Sequence, residues 1–110
     1  MTISRQISKR VLVQLRLALL ADCGCENTLA DLDFAARRVG LTGAEIDAAL
    51  AGTSFGAQTA AALAFACALK TGDQGQIDIA SARAMRLGFV GADLEALTSE
   101  VSFILAGQTK

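Results

Sequence analysis

The stretch Ala36–Asp47 has the sequence ARRVGLTGAEID, and it contains the signals that decide the fold of this chain. Gly40 stands where an apolar helical pattern ends, and glycine adopts the left-handed conformation of a helix C-terminus at little cost. Thr42 and Glu45 then have the spacing of a capping box, which begins a new helix. The stretch therefore predicts two helices joined by a short corner at Gly40.

A second corner of the same kind follows later in the chain, where Met85–Glu95 has the sequence MRLGFVGADLE. Both corners place a glycine, an apolar residue and then a helix with acidic residues in its first turn, where carboxylates suit the positive end of the helix dipole. A DNA-binding helix-turn-helix would instead carry Arg, Lys or Asn on its second helix. The two stretches therefore predict a repeated helical corner rather than a DNA-binding motif.

The rest of the chain continues the helical pattern. It contains no proline, no alternating strand pattern and no Asn-Gly or Asp-Gly hairpin signal, whereas apolar residues recur at spacings of three and four. We therefore predict an all-α fold of about six helices, over residues 3 or 4 to 20, 26–39, 42–51, 57–70, 78–88 and 92–106. The fourth helix is apolar nearly all round and is predicted to be the buried central helix, and Asp78 is predicted to cap the fifth.

Length and composition favour one domain that assembles with copies of itself. A chain of 110 residues has room for a single domain over residues 1–110. Hydrophobic residues make up 53% of the chain when glycine is not counted. In a typical soluble domain the share is only roughly 45–50%, even with glycine counted. A buried helix hides part of this excess, and a subunit interface is the natural place for the rest. We therefore expect a homo-oligomer.

Charge and hydropathy argue against nucleic acid and membranes as partners. The net charge is −1 and the basic residues are scattered, so the chain lacks the positive field that a phosphate backbone requires. Basic residues before the apolar run Val11–Ala21 are similar to a signal peptide, but Gln14 and Arg16 interrupt the run, and Asp22 precedes Cys23 where a lipoprotein cleavage site requires a small residue. No apolar run reaches the roughly 18–20 residues of a membrane span. We therefore interpret the amino-terminal segment as an amphipathic helix.

The chemistry open to the chain is limited by the residue types that it lacks. It contains no histidine, tyrosine or tryptophan. Without histidine, Ser-His-Asp and Cys-His catalysis and most zinc sites are excluded. No glycine loop is followed by the Lys and Ser/Thr of a phosphate-binding loop. We therefore expect neither a metal nor a cofactor.

One chemical motif remains, the sequence Cys23-Gly24-Cys25. Cys25 stands at the start of the predicted second helix, where unpaired backbone N–H groups and the helix dipole stabilise a thiolate. A disulfide between thiols two residues apart would be strained and easily reduced, as a catalytic or sensing pair requires. The alternative, which residue type alone favours, is that Cys23 and Cys25 are small packing residues at a helix junction.

The cysteine count also bears on the compartment. Three cysteines are too few for a disulfide framework in a chain of this composition, which favours a reducing, cytoplasmic setting. The third, Cys67, stands on the buried face of the predicted fourth helix, so we expect a structural role for it.

The segment that contains Cys25 and the first corner resembles a known family. Gly24–Leu32, Ala36–Thr42 and the pair Glu45-Ile46 resemble the alkylhydroperoxidase D-like branch of the carboxymuconolactone decarboxylase superfamily. The family pattern is Gly-Cys-x-x-Cys-x-x-x-His, then a helix ending Ala-Arg-Lys-x-Gly-Leu-Ser and a Glu-Ile pair. The resemblance covers about residues 10–106. It implies a helical bundle that forms trimers or hexamers, which agrees with the hydrophobic excess.

The thiol motif of the family is degenerate in this chain. In the intact site a thiolate attacks peroxide, a second cysteine resolves the sulfenic acid, and a glutamate and a histidine move protons. Cys25 matches the first cysteine, whereas Thr28 stands at the position of the second and Leu32 at that of the histidine. The position of the glutamate falls on Val11 or Val13. Three of the four groups are therefore replaced.

Two hypotheses about function follow from the resemblance. In the first, the chain is catalytically degenerate and acts as an oligomeric structural or ligand-binding module. In the second, it is a residual thiol-dependent peroxidase in which Cys25 attacks the peroxide and Cys23 has become the resolving thiol. The implied ligand is accordingly a small molecule or a peroxide. The decarboxylase branch is a third possibility, but its chemistry depends on histidine, which the chain lacks.

Overall fold

The structure is a computed structural model that describes residues 8–22 and 26–107. Within these ranges the chain forms six α-helices and no strand, which confirms the predicted all-α class. The helices are α1 (Lys9–Leu20), α2 (Glu26–Arg38), α3 (Gly43–Leu50), α4 (Ala57–Thr71), α5 (Gln74–Arg86) and α6 (Gly91–Ala106). In the same ranges, none of the helices has both the length and the apolar character needed to cross a membrane.

The predicted start of α5 at Asp78 is wrong. The helix begins at Gln74 because Asp73 is its N-cap, and the Asp73 carboxylate accepts hydrogen bonds from the backbone N–H groups of Gly75 and Gln76. Asp78 lies inside the helix, where its carboxylate accepts a hydrogen bond of 2.8 Å from Nε2 of Gln74.

The predicted start of α1, at residue 3 or 4, lies outside the residues that the structure describes. Ser8 has an extended backbone, and its hydroxyl oxygen accepts a hydrogen bond of 3.3 Å from the backbone N–H of Val11. This is the geometry of an N-cap, so the helix that ends at Leu20 begins at Lys9.

The two predicted corners are confirmed and have the same hydrogen bonds. Gly40 and Gly88 have φ angles of +93° and +105°, in the region that glycine occupies most readily. In each corner the residue after the glycine donates its backbone N–H to a carbonyl five residues earlier: Leu41 to Ala36 at 3.0 Å, and Phe89 to Ala84 at 3.1 Å. This is a Schellman motif, and it ends α2 and α5 in the same way.

The helices after the two corners also begin alike. The Glu45 carboxylate accepts a hydrogen bond of 2.8 Å from the backbone N–H of Thr42, and the Asp93 carboxylate accepts one of 2.9 Å from that of Val90. The Thr42 hydroxyl accepts a hydrogen bond from the backbone N–H of Glu45, which completes the predicted capping box. Valine has no side-chain oxygen, so the second corner has only the acidic half of the box.

The six described helices repeat one three-helix pattern. Helices α4, α5 and α6 begin 48 residues after α1, α2 and α3, respectively. Side-chain contacts repeat with the same spacing: Arg10 Nη1 donates to the Val39 carbonyl at 3.1 Å, and Gln58 Nε2 donates to the Leu87 carbonyl at 2.8 Å. Both the donors and the acceptors are 48 residues apart, so the repeat extends from helix order to individual contacts.

The centre of the fold is shared by α1 and α4, the equivalent helices of the two halves. α1 packs against α2, α3, α4 and α6, and α4 packs against α1, α5 and α6. Leu15 and Leu63 occupy equivalent positions on these helices, and both are fully buried. Buried residues of both halves belong to one hydrophobic cluster. The prediction of a central α4 was thus incomplete, because α1 is buried around most of its circumference as well.

Candidate functional site

The predicted catalytic residues Cys23 and Cys25 lie outside the residues that the structure describes, so their roles stay a prediction. The positions that the resemblance assigns to the remaining members of the family's site are described. They are Thr28, Leu32 and either Val11 or Val13. Their surroundings define the candidate site.

The facing sides of α1 and α2 form a groove of about 340 Å³. On each helix its lining residues follow a spacing of three or four, which places them on one face. We call it the α1–α2 groove, and it is lined by Lys9, Leu12, Val13, Arg16, Leu32, Ala35, Arg38 and Val39.

A larger cleft of about 740 Å³ continues from this groove. We call it the α6 cleft, because the end of α6 forms one of its walls, and it is lined by Arg16, Leu20, Thr28, Asp31, Leu32, Ala35, Phe103, Ile104, Ala106 and Gly107. The groove and the cleft share Arg16, Leu32 and Ala35, so they form one continuous surface. Their volumes lie within the roughly 300–1,000 Å³ typical of small-molecule sites.

The structure brings the positions of the family's motif to this surface. Thr28 and Leu32 line the α6 cleft, and Leu32 also lines the groove beside Val13. Val11 is buried in the core instead, so Val13 is the candidate for the glutamate position that faces the groove. A threonine hydroxyl and two aliphatic side chains do not titrate near neutral pH, so these three positions supply neither a resolving thiol nor a proton relay.

The charged side chains known to line the α1–α2 groove are positive. They are Lys9, Arg16 and Arg38, and no acidic residue of the described part of the chain lines it. Among residues 8–22 and 26–107, none of the three forms an ion pair. The Arg38 guanidinium lies 5.8 Å from the centre of the Phe34 ring, a cation–π contact that leaves its charge uncompensated. Among the described residues that line the continuous surface, one is acidic: Asp31, in the α6 cleft.

A second cleft, of about 400 Å³, lies between α4 and α5 and repeats the α6 cleft in the other half of the chain. Six of its lining residues stand 48 positions after residues of the α6 cleft: Ala64, Ala68, Gln76, Ile79, Ala80 and Arg83 correspond to Arg16, Leu20, Thr28, Asp31, Leu32 and Ala35. We call it the α4–α5 cleft. The two similar corners alone do not predict this cleft, but the 48-residue spacing of Gly40 and Gly88 is a signal of the whole repeat.

Cys67 lines the α4–α5 cleft. Its side chain is half-buried rather than fully enclosed, and a Cβ atom placed on Gly52 would lie 3.6 Å from its Sγ atom. Burial raises the pKa of the thiol above its ordinary value of 9.0. An apolar environment that disfavours the thiolate agrees with the expected packing role.

The other polar contacts hold helices together rather than form a site. Nη2 of Arg10 lies 3.1 Å from Oε2 of Glu45, and Nζ of Lys70 lies 2.7 Å from Oδ1 of Asp22. The hydrogen bond from the Thr42 backbone N–H lowers the pKa of Glu45, and the hydrogen bond from Lys70 lowers the pKa of Asp22. In the described part of the chain, no group of three or more His, Cys, Asp or Glu residues is arranged to hold a metal ion.

No protein-family model matches the chain, and neither the curated proteins nor the solved structures that were searched contain a match. The resemblance to the alkylhydroperoxidase D-like proteins therefore rests on the residues of the chain alone, and the functional argument rests on the α1–α2 groove and the α6 cleft.

Proposed function

We propose that this chain is an alkylhydroperoxidase D-like protein of the carboxymuconolactone decarboxylase superfamily that has lost thiol catalysis and acts as an oligomeric structural or ligand-binding module. One observation carries the proposal. Thr28 and Leu32, at the positions of the family's second cysteine and histidine, line an open cleft of about 740 Å³. The cleft is present, whereas the side chains that would perform the chemistry are replaced.

The replacements remove specific steps of a thiol peroxidase reaction. After a thiolate attacks peroxide, a second thiol must displace water from the sulfenic acid to form a disulfide. Thr28 cannot perform this step, because its hydroxyl does not form a disulfide. Leu32 and Val13 cannot carry the protons that leave the attacking thiol and reach the departing alkoxide. What remains at these positions favours the binding of apolar groups.

Oligomerisation is supported by the aromatic residues. Of the five phenylalanines in the chain, Phe34, Phe55 and Phe103 are 64%, 73% and 71% exposed. Exposed aromatic side chains are enriched at protein interfaces, where their burial contributes much of the binding energy. A trimer or hexamer, as the family resemblance implies, would cover such residues.

The loss of catalysis is tested by peroxide consumption in the presence of a dithiol reductant. The wild-type protein is compared with the variants Cys25→Ser and Cys23→Ser. We expect the three proteins to consume peroxide at the same rate as the reductant alone. A rate above this background that disappears in both variants would contradict the proposal and support the alternative, a peroxidase that uses Cys25 with Cys23 as the resolving thiol.

The oligomeric state is tested by light scattering at micromolar concentration, where we expect a trimer or larger. The variant Phe103→Ser is compared with Phe55→Ser, because both residues are exposed, but Phe103 belongs to α6 and Phe55 to the segment between α3 and α4. The variant that loses the oligomer while keeping its helical circular dichroism identifies the interface. A wild-type monomer would rule out the oligomer.

A further inference from the structure

Two positive charges of the α1–α2 groove have no counterpart at the equivalent positions of the other half. Lys9 and Arg16 line the α1–α2 groove, and alanines, Ala57 and Ala64, occupy the equivalent positions of α4. Neither Lys9 nor Arg16 forms a hydrogen bond or an ion pair within residues 8–22 and 26–107. The charges of Lys9 and Arg16 are therefore not needed to form the helices, since α4 forms with alanine at both equivalent positions.

The apolar wall of the groove differs between the halves in the same region. Leu12 and Val13 line the groove and are half-buried, whereas the equivalent residues Ala60 and Ala61 are buried. At these positions the first half therefore exposes apolar side-chain surface that the second half does not. An aliphatic chain laid on this surface would gain free energy from each methylene that it removes from water.

From these two differences we propose that the α1–α2 groove binds a free, single-chain aliphatic anion, such as a medium-chain carboxylate, with Arg16 contacting its head group. The inference rests on the proposed function of the chain as a ligand-binding module and gives the chemical class of the ligand. Lys9 and Arg38 line the same groove and add to the positive charge that attracts the anionic head. The tail lies over Leu32 and Ala35, which the groove shares with the α6 cleft.

The charges of the α6 cleft determine which end of the ligand lies there and how many anionic groups the ligand can have. Asp31 lines that cleft and would repel a second anionic group there, whereas Leu20 and Ile104 offer apolar contact to the tail. The net charge of −1 gives no extended positive field for several phosphate groups. These features favour one anionic group on an aliphatic chain over a polyanion.

Isothermal titration calorimetry of the full chain with decanoate, octanoate, decanol and decylamine, each below its micelle concentration, tests the inference. We expect decanoate to bind more tightly than decanol and decylamine, and roughly tenfold more tightly than octanoate, which has two methylenes fewer. Arg16→Gln weakens decanoate binding roughly tenfold, because it removes a charge-assisted hydrogen bond. Arg86→Gln is the matched control: it removes the same charge at the position equivalent to Arg38, outside the groove, and leaves the affinity unchanged.

A second variant and a site map complete the test. Ala35→Phe fills the surface shared by the groove and the α6 cleft, so it abolishes binding while the helical circular dichroism stays that of the wild type. Amide chemical shifts of the ¹⁵N-labelled chain move on α1 and α2 when decanoate is added, and those of α4 and α5 do not.

Three outcomes would overturn the inference. Decanol bound as tightly as decanoate, with shifts on α1 and α2, would remove the anion and leave the binding module intact. Binding to phosphatidylglycerol vesicles without binding of decanoate would point to a membrane surface instead. The absence of binding to any amphiphile would remove the ligand class, and the peroxide assay would still decide separately whether catalysis has been lost.

Discussion

The ammonium group of Lys70 donates a hydrogen bond of 2.7 Å to the carboxylate of Asp22, and these two residues occupy equivalent positions in the two halves of the chain. The central helices α1 and α4, which are also equivalent, pack against each other. Contacts between equivalent elements are what an isologous dimer forms near its twofold axis. The two three-helix units thus meet along α1 and α4, and the chain between α3 and α4 connects them.

Because of these contacts, Lys70 contributes more to the stability of the fold than its exposure indicates. Its Nζ atom also donates a hydrogen bond of 2.6 Å to the backbone carbonyl of Leu19, near the end of α1. We expect Lys70→Met to lower the free energy of unfolding by roughly 1.5 kcal/mol, since it removes a charged donor from that carbonyl. Asp22→Asn should have the smaller effect, because it leaves the bond to Leu19 in place. Urea denaturation of both variants measures which one loses more free energy of unfolding. An equal loss in the two variants would show that the ion pair between Lys70 and Asp22 contributes more than the hydrogen bond to Leu19.

The corner glycines give a prediction about backbone conformation. Gly40→Ala and Gly88→Ala should each destabilise the fold by roughly 1–2 kcal/mol, because both positions have positive φ angles. A Cβ atom on Gly40 would also lie 3.1 Å from the Arg10 guanidinium. Gly91→Ala is the control, since this glycine begins α6, has no positive φ and has open space around its Cβ position.

Thermal denaturation of the single variants and of the double variant Gly40→Ala/Gly88→Ala checks this prediction. The two corners lie in different halves, so we expect their effects to add. A Gly88→Ala protein as stable as Gly91→Ala would contradict the assigned backbone conformation.

The sequence predicted the helix boundaries where the signals are local. Gly40 and Gly88 end helices, and Thr42 with Glu45 begins one, and the ends of α2, α3, α4 and α6 lie within a residue of their predicted positions. The start of α5 was missed because Asp73 and Asp78 are both plausible caps. Gly75 also lies in the first turn of α5, where glycine usually indicates a loop.

The candidate site could be predicted only in part, because it depends on packing between helices. The resemblance indicated Thr28 and Leu32, and both line the α6 cleft. The place of Arg16 in the groove was not predicted, since the groove arises where α1 and α2 face each other. The spacing of residues along the sequence does not show how two helices fit together.

Glu45 should contribute to the pH dependence of stability. Its pKa is lowered from the ordinary value of 4.5, chiefly by the hydrogen bond from the Thr42 backbone N–H, with a smaller contribution from Arg10. A carboxyl group whose pKa is lower in the folded state stabilises the fold above its unfolded pKa, and this stabilisation is lost as the pH falls through the folded pKa. The melting temperature of the wild-type protein should therefore fall more steeply than that of Glu45→Gln between about pH 6 and about pH 3.

The glutamine variant isolates the charge, because its side-chain oxygen can still accept the hydrogen bond from Thr42. Other acids, including Asp22, titrate in both proteins and cancel in the comparison. Parallel melting curves over the whole pH range would show that Glu45 contributes no pH dependence.

Cys67 should react slowly with alkylating reagents. Burial against α5 raises the pKa of its thiol above 9.0, and Lys70 offsets this only in part. The thiolate is the reactive form, so its small population at neutral pH limits the rate.

In a Cys23→Ser/Cys25→Ser protein, iodoacetamide at about pH 7 should modify Cys67 several times more slowly in the folded chain than in urea. The rate in the folded chain should continue to increase when the pH is raised above the ordinary thiol pKa. Ile79→Ala, which removes the exposed side chain beside Cys67 in the α4–α5 cleft, should increase the rate in the folded state. If folded and unfolded chains reacted equally fast at about pH 7, the cleft would not protect the thiol, and Cys67 would have to be reconsidered as a reactive group.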